Sequence, residues 1–383
     1  MPRPPAAVPD PNPRRRGPSL LLIAAWPFLR AAGALLRLGR RPGPGGSHLV
    51  FAAYQVGDLY MALPALELLS RHARITVACR PGCEGILTRR GFAVLPFPHP
   101  WFASFSPGAF LSGLRSALAL RGRMRAFASA YDLVGDPRTA FMLRAAGCAR
   151  IEAPRRPFAW LFDARLPESS RGPHQVERDW SAAAAWLSAR GIPSPAGPPP
   201  EAPLSPPPPA PAPLLLSCWT RKEEKNWPLE RWDEVLGFLL SAGRPFAVLD
   251  APDGDAAFAS FRARWIARAP FLSADLEGVE EAVRGSAGIV APDNFLGHMA
   301  AGLGKPVLWI NGSSDSAAVA PRGPRTDIME AAPMPCRPCG HRCVNPIRLH
   351  CLRELSTGRV LERLRAGWPA EPGGTGATRE TSP

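Results

Sequence analysis

The chain has 383 residues, and its 46 lysine and arginine residues outnumber its 32 aspartate and glutamate residues, which gives a formal net charge of +14. A hydrophobic content of 46% is enough to build a core in each of two domains of ordinary size, and this excludes a small disulfide scaffold. Lysine is scarce. Only Lys222, Lys225 and Lys305 occur, and arginine supplies the rest of the positive charge.

Proline is densest in two segments of the chain, which together hold 19 of its 48 prolines. One is the N-terminus, and the other is the stretch 192–213, which contains four consecutive prolines. Dense proline favours polyproline II and cannot continue a helix or a central strand. The sequence therefore predicts a basic disordered tail over residues 1–18 and a linker over 192–213, together with a second disordered tail over 369–383.

The segment 19–41 combines apolar residues with arginine. Its first apolar run has about half the length that a membrane span requires. Arg30, Arg37 and Arg41 are spaced seven and four residues apart, so they share one face of a helix. This pattern favours an amphipathic helix that lies on anionic lipid, with a helix packed on the protein's own surface and a secretory signal as alternatives. Only the positive charge favours nucleic-acid binding, because no recognised nucleic-acid-binding motif accompanies the arginines.

From Ser47 onward, short apolar runs alternate with helical stretches, a pattern typical of parallel sheets covered by helices on both faces. The pattern restarts after the linker. It predicts two doubly wound α/β domains, at 47–191 and 214–368, whose strands have their carboxyl ends at a central cleft. The predicted strands are His48–Ala53, Arg74–Cys79, Tyr131–Gly135, Leu214–Cys218, Phe246–Asp250, Ala287–Ala291 and Pro306–Ile310.

Three turns that follow predicted strands carry candidate functional residues. Asp58 follows the first strand, and it is either a general base aimed at the cleft or the N-cap of the next helix. Lys225 precedes a helix that begins near Pro228, and it is either a point charge for phosphate or part of a solvated charged run. Two of the three lysines of the chain fall in this turn.

The third turn runs from Asp293 to His298. Asp293 or Asn294 could cap the following helix, and Gly297 would let the backbone approach a ligand. His298 lies one turn into that helix, where it either donates to a phosphate oxygen or has a structural role.

Four cysteines, Cys336, Cys339, Cys343 and Cys351, follow the spacing C-x2-C-x3-C-x7-C. Four thiolates with a C-x2-C start could hold a structural zinc ion. Two disulfides and reduced structural thiols are the alternatives. The other four cysteines are scattered along the sequence.

The order of these motifs resembles the heptosyltransferases of glycosyltransferase family 9. The resemblance extends from about Ser47 to Trp368, and no single motif is decisive. The motifs that carry it are Gly57-Asp58 with Leu63-Pro64-Ala65-Leu66, Asp132-Leu133-Val134, Lys225-Asn226-Trp227-Pro228, Asp293 with His298, Gly304-Lys305-Pro306-Val307, and the cysteine segment 336–351.

The resemblance implies a GT-B fold, in which the first Rossmann-like domain binds the acceptor and the second binds a nucleotide sugar. It implies that Asp58 is the base of an inverting transfer and that Lys225 neutralises the donor pyrophosphate, so that catalysis requires no cofactor. Asp293 and His298, with Asn294 and Gly297 in the same loop, would hold the donor phosphates and the adjoining sugar. Thr220 is a weaker candidate for the same pocket.

The expected donor is ADP-heptose, and the expected acceptor is a lipid-linked saccharide of the lipopolysaccharide core at the inner face of the bacterial inner membrane. Two departures from the family pattern affect the donor pocket. Phe295 replaces the usual first glycine of the third turn, and Ser217-Cys218-Trp219 replaces a His-Pro-Gly sequence. A member that binds nucleotide or glycolipid without turnover is the alternative.

Overall fold

The computed structural model describes residues 46–52, 55–97, 107–124, 126–133, 135–154, 162–166, 174–195, 197–209, 211–339 and 343–369. The predicted N-terminal tail and the helix predicted over 19–41 lie outside these residues, as does nearly all of the C-terminal tail. The chain forms two compact units. Residues 1–201 and 317–322 make the first, and residues 202–316 and 323–383 make the second.

The first unit is a parallel six-stranded sheet with helices between its strands, in the strand order β3-β2-β1-β4-β5-β6. Its strands are short, and the four central ones are buried along nearly their whole length, including at polar residues such as Asp132 and Glu152, as expected for a sheet covered on both faces. Its elements are β1 (His48–Phe51), α1 (Val56–His72), β2 (Ile75–Cys79), α2 (Glu84–Thr88), β3 (Ala93–Pro96), α3 (Pro107–Ala119), α4 (Arg121–Met124), β4 (Ser129–Asp132), α5 (Pro137–Ala146), β5 (Ile151–Pro154), β6 (Ala164–Leu166) and α6 (Gln175–Ser188).

The second unit repeats this architecture. Its six parallel strands have the order β12-β11-β10-β7-β8-β9, which is the order of the first sheet when the strands are counted from β7. Its elements are β7 (Leu214–Leu216), a 3-10 turn (Glu223–Lys225), α7 (Leu229–Ser241), β8 (Phe246–Leu249), α8 (Ala256–Trp265), β9 (Phe271–Leu272), α9 (Leu276–Gly285), β10 (Gly288–Pro292), α10 (Phe295–Gly302), β11 (Val307–Asn311), α11 (Ser316–Val319), β12 (Thr326–Glu330), α12 (His350–Glu354) and α13 (Thr357–Arg365).

Each unit has its own hydrophobic core. In the first, Leu49 and Phe51 of β1 pack with Leu143 of α5. In the second, Trp227 and Trp232 at the start of α7 meet edge to face and pack with apolar residues of α12 and α13. The C-terminal helices are therefore part of the second unit's core. Both sheets confirm the predicted doubly wound α/β class.

The short segment Ala317–Arg322 packs with the first unit, although the flanking chain belongs to the second. His174, the N-cap of α6, accepts a hydrogen bond from the Val176 N–H, and its Nε2 lies 2.9 Å from the Ala320 carbonyl oxygen. Arg322 forms an ion pair with Glu177 at 2.7 Å. The sequence predicts this segment as part of the second domain, because no residue pattern marks its association with the first unit.

The proline-rich linker is anchored at both ends. The Trp180 indole N–H donates to the Gly197 carbonyl at 3.0 Å, and the Ser205 N–H donates to the Gly304 carbonyl at 3.0 Å. The boundary between the units, at Glu201 and Ala202, falls between these two anchors. Within the predicted linker, only the middle therefore passes from one unit to the other, and the chain crosses again on either side of Ala317–Arg322.

We expect Gly304→Ala to destabilise the second unit more than the matched change Gly243→Ala. Both glycines have positive φ angles, +71° and +62°, where an alanine costs about 1 to 2 kcal/mol. A Cβ at Gly304 would also lie 2.0 Å from the Pro203 carbonyl oxygen, whereas a Cβ at Gly243 meets nothing within 4 Å. Urea unfolding should show roughly twice the loss for Gly304→Ala. Equal losses would mean that the linker is not docked at this position.

Within the part of the chain that the structure describes, no helix has the length and apolarity needed to cross a membrane.

Candidate active site

The strand orders locate the point in each sheet where a ligand is expected. In each sheet the chain adds strands on one side of the first strand and then reverses to the other side, between β1 and β4 in the first unit and between β7 and β10 in the second. Ligands of doubly wound sheets bind beyond the carboxyl ends of the strands at this switch point. Asp58 follows β1, and the turns with Lys225 and Asp293 follow β7 and β10.

Lys225 and Asp293 form an ion pair at the switch point of the second sheet. Lys225 Nζ lies 2.7 Å from Asp293 Oδ2, and their side chains are 19% and 6% exposed. The Ser314 hydroxyl, which follows β11, donates to the same carboxylate oxygen. Three successive turns of the sheet therefore converge on one buried carboxylate. The structure brings together two residues that the sequence predicted separately.

Asp293 is ionised in spite of its burial. Burial by itself would raise the pKa of this carboxyl group, but the charge and hydrogen bond of Lys225, the Ser314 hydroxyl and nearby His298 outweigh it and hold the pKa below its usual value. The site thus contains a buried positive charge with a matched negative charge. A diphosphate could compete with Asp293 for Lys225.

The loop that carries Lys225 is held by a residue that the sequence did not single out. Asn226 Oδ1 accepts from the Thr220 N–H at 2.6 Å, and Asn226 Nδ2 donates to the Thr220 carbonyl at 2.9 Å. The Thr220 hydroxyl donates to the Lys222 carbonyl at 2.9 Å. Helix α7 begins at Leu229, with Pro228 at its N-cap. Donor binding by Thr220 stays a prediction.

The third turn leads directly into helix α10. Asn294 is the N-cap, and its Oδ1 accepts from the Leu296 N–H at 2.9 Å, so the cap falls to Asn294 and not to Asp293. Asn294 Nδ2 also donates to Ser217 Oγ at 2.7 Å, which joins this turn to the loop after β7. Gly297 and His298 are buried in the first turns of α10, and Phe295, the first helical residue, is half-buried.

We expect Asn294→Ala to weaken nucleotide binding, whereas Asp275→Ala should not. Both residues cap helices through side-chain oxygens, Asn294 for α10 and Asp275 for α9, and either loss should cost about 1 kcal/mol of stability. Only Asn294 also positions the loop beside Asp293. Calorimetric titration with ADP at matched folded fractions tests this, and equal affinities in the two variants would contradict the placement.

Asp58 lies in the first turn of α1 and is half-buried. The N-cap of this helix is Gln55, whose backbone is extended, so the alternative interpretation of Asp58 as the N-cap is wrong. A carboxylate in the first turn is still favoured by the helix dipole. The carboxylate follows a central strand at the switch point of the first sheet, and its role as a general base stays a prediction.

A cavity in the second unit is lined in part by the loop that carries Lys225. It has a volume of about 870 Å³, and Trp219, Glu223, Asn226, Arg231 and Asp255 are among its lining residues. Glu223 and Asn226 flank Lys225 in sequence, whereas Lys225 and Asp293 do not line the cavity.

The four cysteines of the segment 336–351 are free thiols in this structure. Burial, followed by the effect of the three neighbouring thiols, raises the pKa of Cys339 to about 11. Among the described residues, no three histidine, cysteine, aspartate or glutamate side chains form a group that could hold a metal ion. Zinc binding at Cys336, Cys339, Cys343 and Cys351 stays a prediction. The zinc content of untagged protein tests it.

The chain matches the family model described as glycosyltransferase family 9 (heptosyltransferase) over residues 117–346. It is 27% identical over 325 residues to lipopolysaccharide heptosyltransferase 1 of Pseudomonas aeruginosa. This similarity covers 76% of this chain and 85% of that relative.

Two solved structures from Escherichia coli have the same fold. One is ADP-heptose lps heptosyltransferase II, with a TM-score of 0.63 and 19% identity, and the similarity covers 84% of this chain and 98% of that structure. The other is heptosyltransferase WaaC with ADP-2-deoxy-2-fluoro heptose, with a TM-score of 0.62 and 18% identity, covering 84% and 99%.

The two parallel sheets and these structural similarities define a GT-B fold. The chain belongs to glycosyltransferase family 9 and is a glycosyltransferase.

Proposed function

We propose that this enzyme transfers a heptose from ADP-heptose to a saccharide of the lipopolysaccharide core, with inversion at the anomeric carbon. The observation that carries the proposal is the buried Lys225–Asp293 pair beside the N-terminus of α10. A lysine and a helix N-terminus together favour a pyrophosphate. The names of the relatives, which are lipopolysaccharide heptosyltransferases, support heptose and the core acceptor.

In the proposed reaction, Asp58 takes the proton of an acceptor hydroxyl as that oxygen attacks the anomeric carbon of the donor. The new carbon–oxygen bond forms as the bond from the anomeric carbon to the phosphate oxygen breaks, and ADP leaves with the bonding electrons. Lys225 neutralises the charge that develops on the leaving phosphate. Asp293 holds Lys225 in position in the absence of donor, and His298 contacts the phosphates together with those N–H groups in the first turn of α10 that Asn294 does not cap.

The proposal is tested by incubating the protein with a panel of nucleotide sugars and a truncated core glycolipid while nucleotide release is measured. Release should be fastest with ADP-heptose, should require the acceptor and should continue in the presence of EDTA, because Lys225 carries the positive charge. Saturable nucleotide binding without release from any donor would favour a family member without turnover. Fast release with a different sugar would correct the donor.

The acceptor is lipid-linked, so the enzyme works at the inner face of the inner membrane. The arginine-rich segment 19–41 is one candidate for contact with that membrane. Deletion of residues 1–41 should reduce binding to anionic vesicles and leave transfer to a soluble acceptor intact. Unchanged vesicle binding would show that this segment does not contact the membrane.

A further inference from the structure

Helix α3 has a second apolar face that the core of the first unit does not use. Ala117 is fully buried in this core, and Leu114 packs against it. On the other side of the helix, Leu111 and Leu118 are 53% and 44% exposed. A surface helix normally presents polar residues to solvent on this side, so two exposed leucines seven residues apart on one face mark a candidate contact surface.

The charge around these leucines has a single sign. Arg115 lies between Leu111 and Leu118 on the exposed side, and Arg121 and Arg123 of the adjoining α4 are exposed. The sequence contains no aspartate or glutamate between Glu84 and Asp132, so no acidic residue in this stretch offsets these arginines. We call Leu111, Arg115 and Leu118, together with Arg121 and Arg123, the α3 face.

We propose that the α3 face binds the surface of a membrane that contains anionic lipid. Leucines that enter the interface and arginines that contact lipid phosphate are the two components of such binding, and both are present on one short stretch of the chain. A second copy of the chain fits less well, because its α3 face would bring arginine against arginine. The inference deepens the proposed function, since it assigns the membrane contact of the enzyme to described residues of the acceptor-binding unit.

The full-length protein should bind vesicles made of equal parts phosphatidylcholine and phosphatidylglycerol, and it should bind pure phosphatidylcholine far more weakly. The double variant Leu111→Glu/Leu118→Glu should lower the affinity for the mixed vesicles by about tenfold or more. The matched control is Leu240→Glu/Ile266→Glu, which changes residues that are 41% and 45% exposed in the second unit and adds the same charge. The control should bind as the wild type does.

A second pair of variants tests the charge without altering the leucines. Arg121→Gln/Arg123→Gln should lower the affinity by about tenfold, whereas Arg71→Gln/Arg74→Gln, at exposed positions of the same unit, should have little effect. Unchanged vesicle binding by both α3-face variants would overturn the proposal, and so would equal losses in the controls.

The same variants separate this inference from the proposed reaction. Sugar transfer to a water-soluble acceptor should be unchanged when the α3 face is altered, because the face does not include Asp58 or the Lys225–Asp293 pair. If the wild-type protein transfers no sugar but the α3-face variants lose vesicle binding, the proposed reaction is refuted and the membrane contact of the α3 face is supported. If transfer is full and vesicle binding is the same in the variants as in the wild type, the α3-face proposal is refuted and the proposed reaction is supported.

Discussion

Replacing Asp58 with asparagine is expected to lower kcat by about a thousandfold and to leave the fold intact. Removal of a general base typically costs between about 10² and 10⁴ in rate. Asparagine keeps the shape of the side chain, and the charge that the substitution removes from the first turn of α1 contributes about 0.3 to 1 kcal/mol through the helix dipole. Steady-state kinetics at saturating donor and acceptor measures the effect.

Glu67 provides the matched control for Asp58. It is a half-buried carboxylate further along the same helix, so Glu67→Gln removes an equal charge from α1. We expect its kcat to stay within about twofold of the wild-type value. Full activity of Asp58→Asn, or an equal loss in both variants, would contradict the assignment of Asp58 as the base.

Replacing Lys225 with methionine is expected to reduce both stability and catalysis. Removal of one partner from a buried ion pair costs about 3 to 5 kcal/mol, and the partial exposure of Lys225 places this variant at the lower end. Loss of the charge opposite the leaving phosphate should lower kcat by about 10² to 10³. Lys222→Met, an exposed lysine in the same loop, should change neither quantity appreciably.

The contribution of Asp293 to the free energy of unfolding should change with pH in opposite directions in Lys225→Met and in the wild type. In the wild type, the pKa of Asp293 is held below its usual value, so its contribution to stability is complete above the pKa of the unfolded chain and is lost as the pH falls through the lowered value. Without Lys225, burial raises the pKa of Asp293, and protonation relieves the unpaired charge.

The difference in unfolding free energy between Lys225→Met and the wild type should therefore shrink as the pH is lowered from 7 toward the pKa of Asp293. The double variant Lys225→Met/Asp293→Asn should recover part of the lost stability at pH 7, because it removes the buried charge altogether. Urea denaturation at several pH values measures both effects. A difference that does not change with pH would show that Asp293 is not the origin of the cost.

Much of the fold follows from the sequence. Short apolar runs that alternate with helical periods predict both doubly wound units, and the structure confirms them with one strand order used twice. The predicted ends of strands are less accurate. The prediction places Gly135, Cys218 and Asp250 in strands, but they lie beyond β4, β7 and β8, because the residue pattern does not mark the last residue that pairs with a neighbouring strand.

The candidate site could be predicted in part. Lysine scarcity drew attention to Lys225, and the turn before α10 drew attention to Asp293, but nothing in the sequence joins them into a pair. Ser314 was missed, because a single hydroxyl residue in a loop has no periodicity and its role becomes visible only when the sheet brings its turns together. Ser217 stood out only as a departure from the family pattern, and its bond to Asn294 was not predicted. Asn226 could have been identified from the sequence as a residue of the site, since it lies next to Lys225 in the motif that carries the family resemblance.

The most direct test of the central claim is the mass of the acceptor after reaction. Purified protein is incubated with ADP-heptose and a core glycolipid that lacks heptose, and the glycolipid is examined by mass spectrometry. The account predicts a gain of one heptose residue per acceptor, with release of an equal amount of ADP, that is lost in Asp58→Asn and kept in Glu67→Gln. An acceptor of unchanged mass with the wild-type protein, under conditions in which ADP binds, would contradict it.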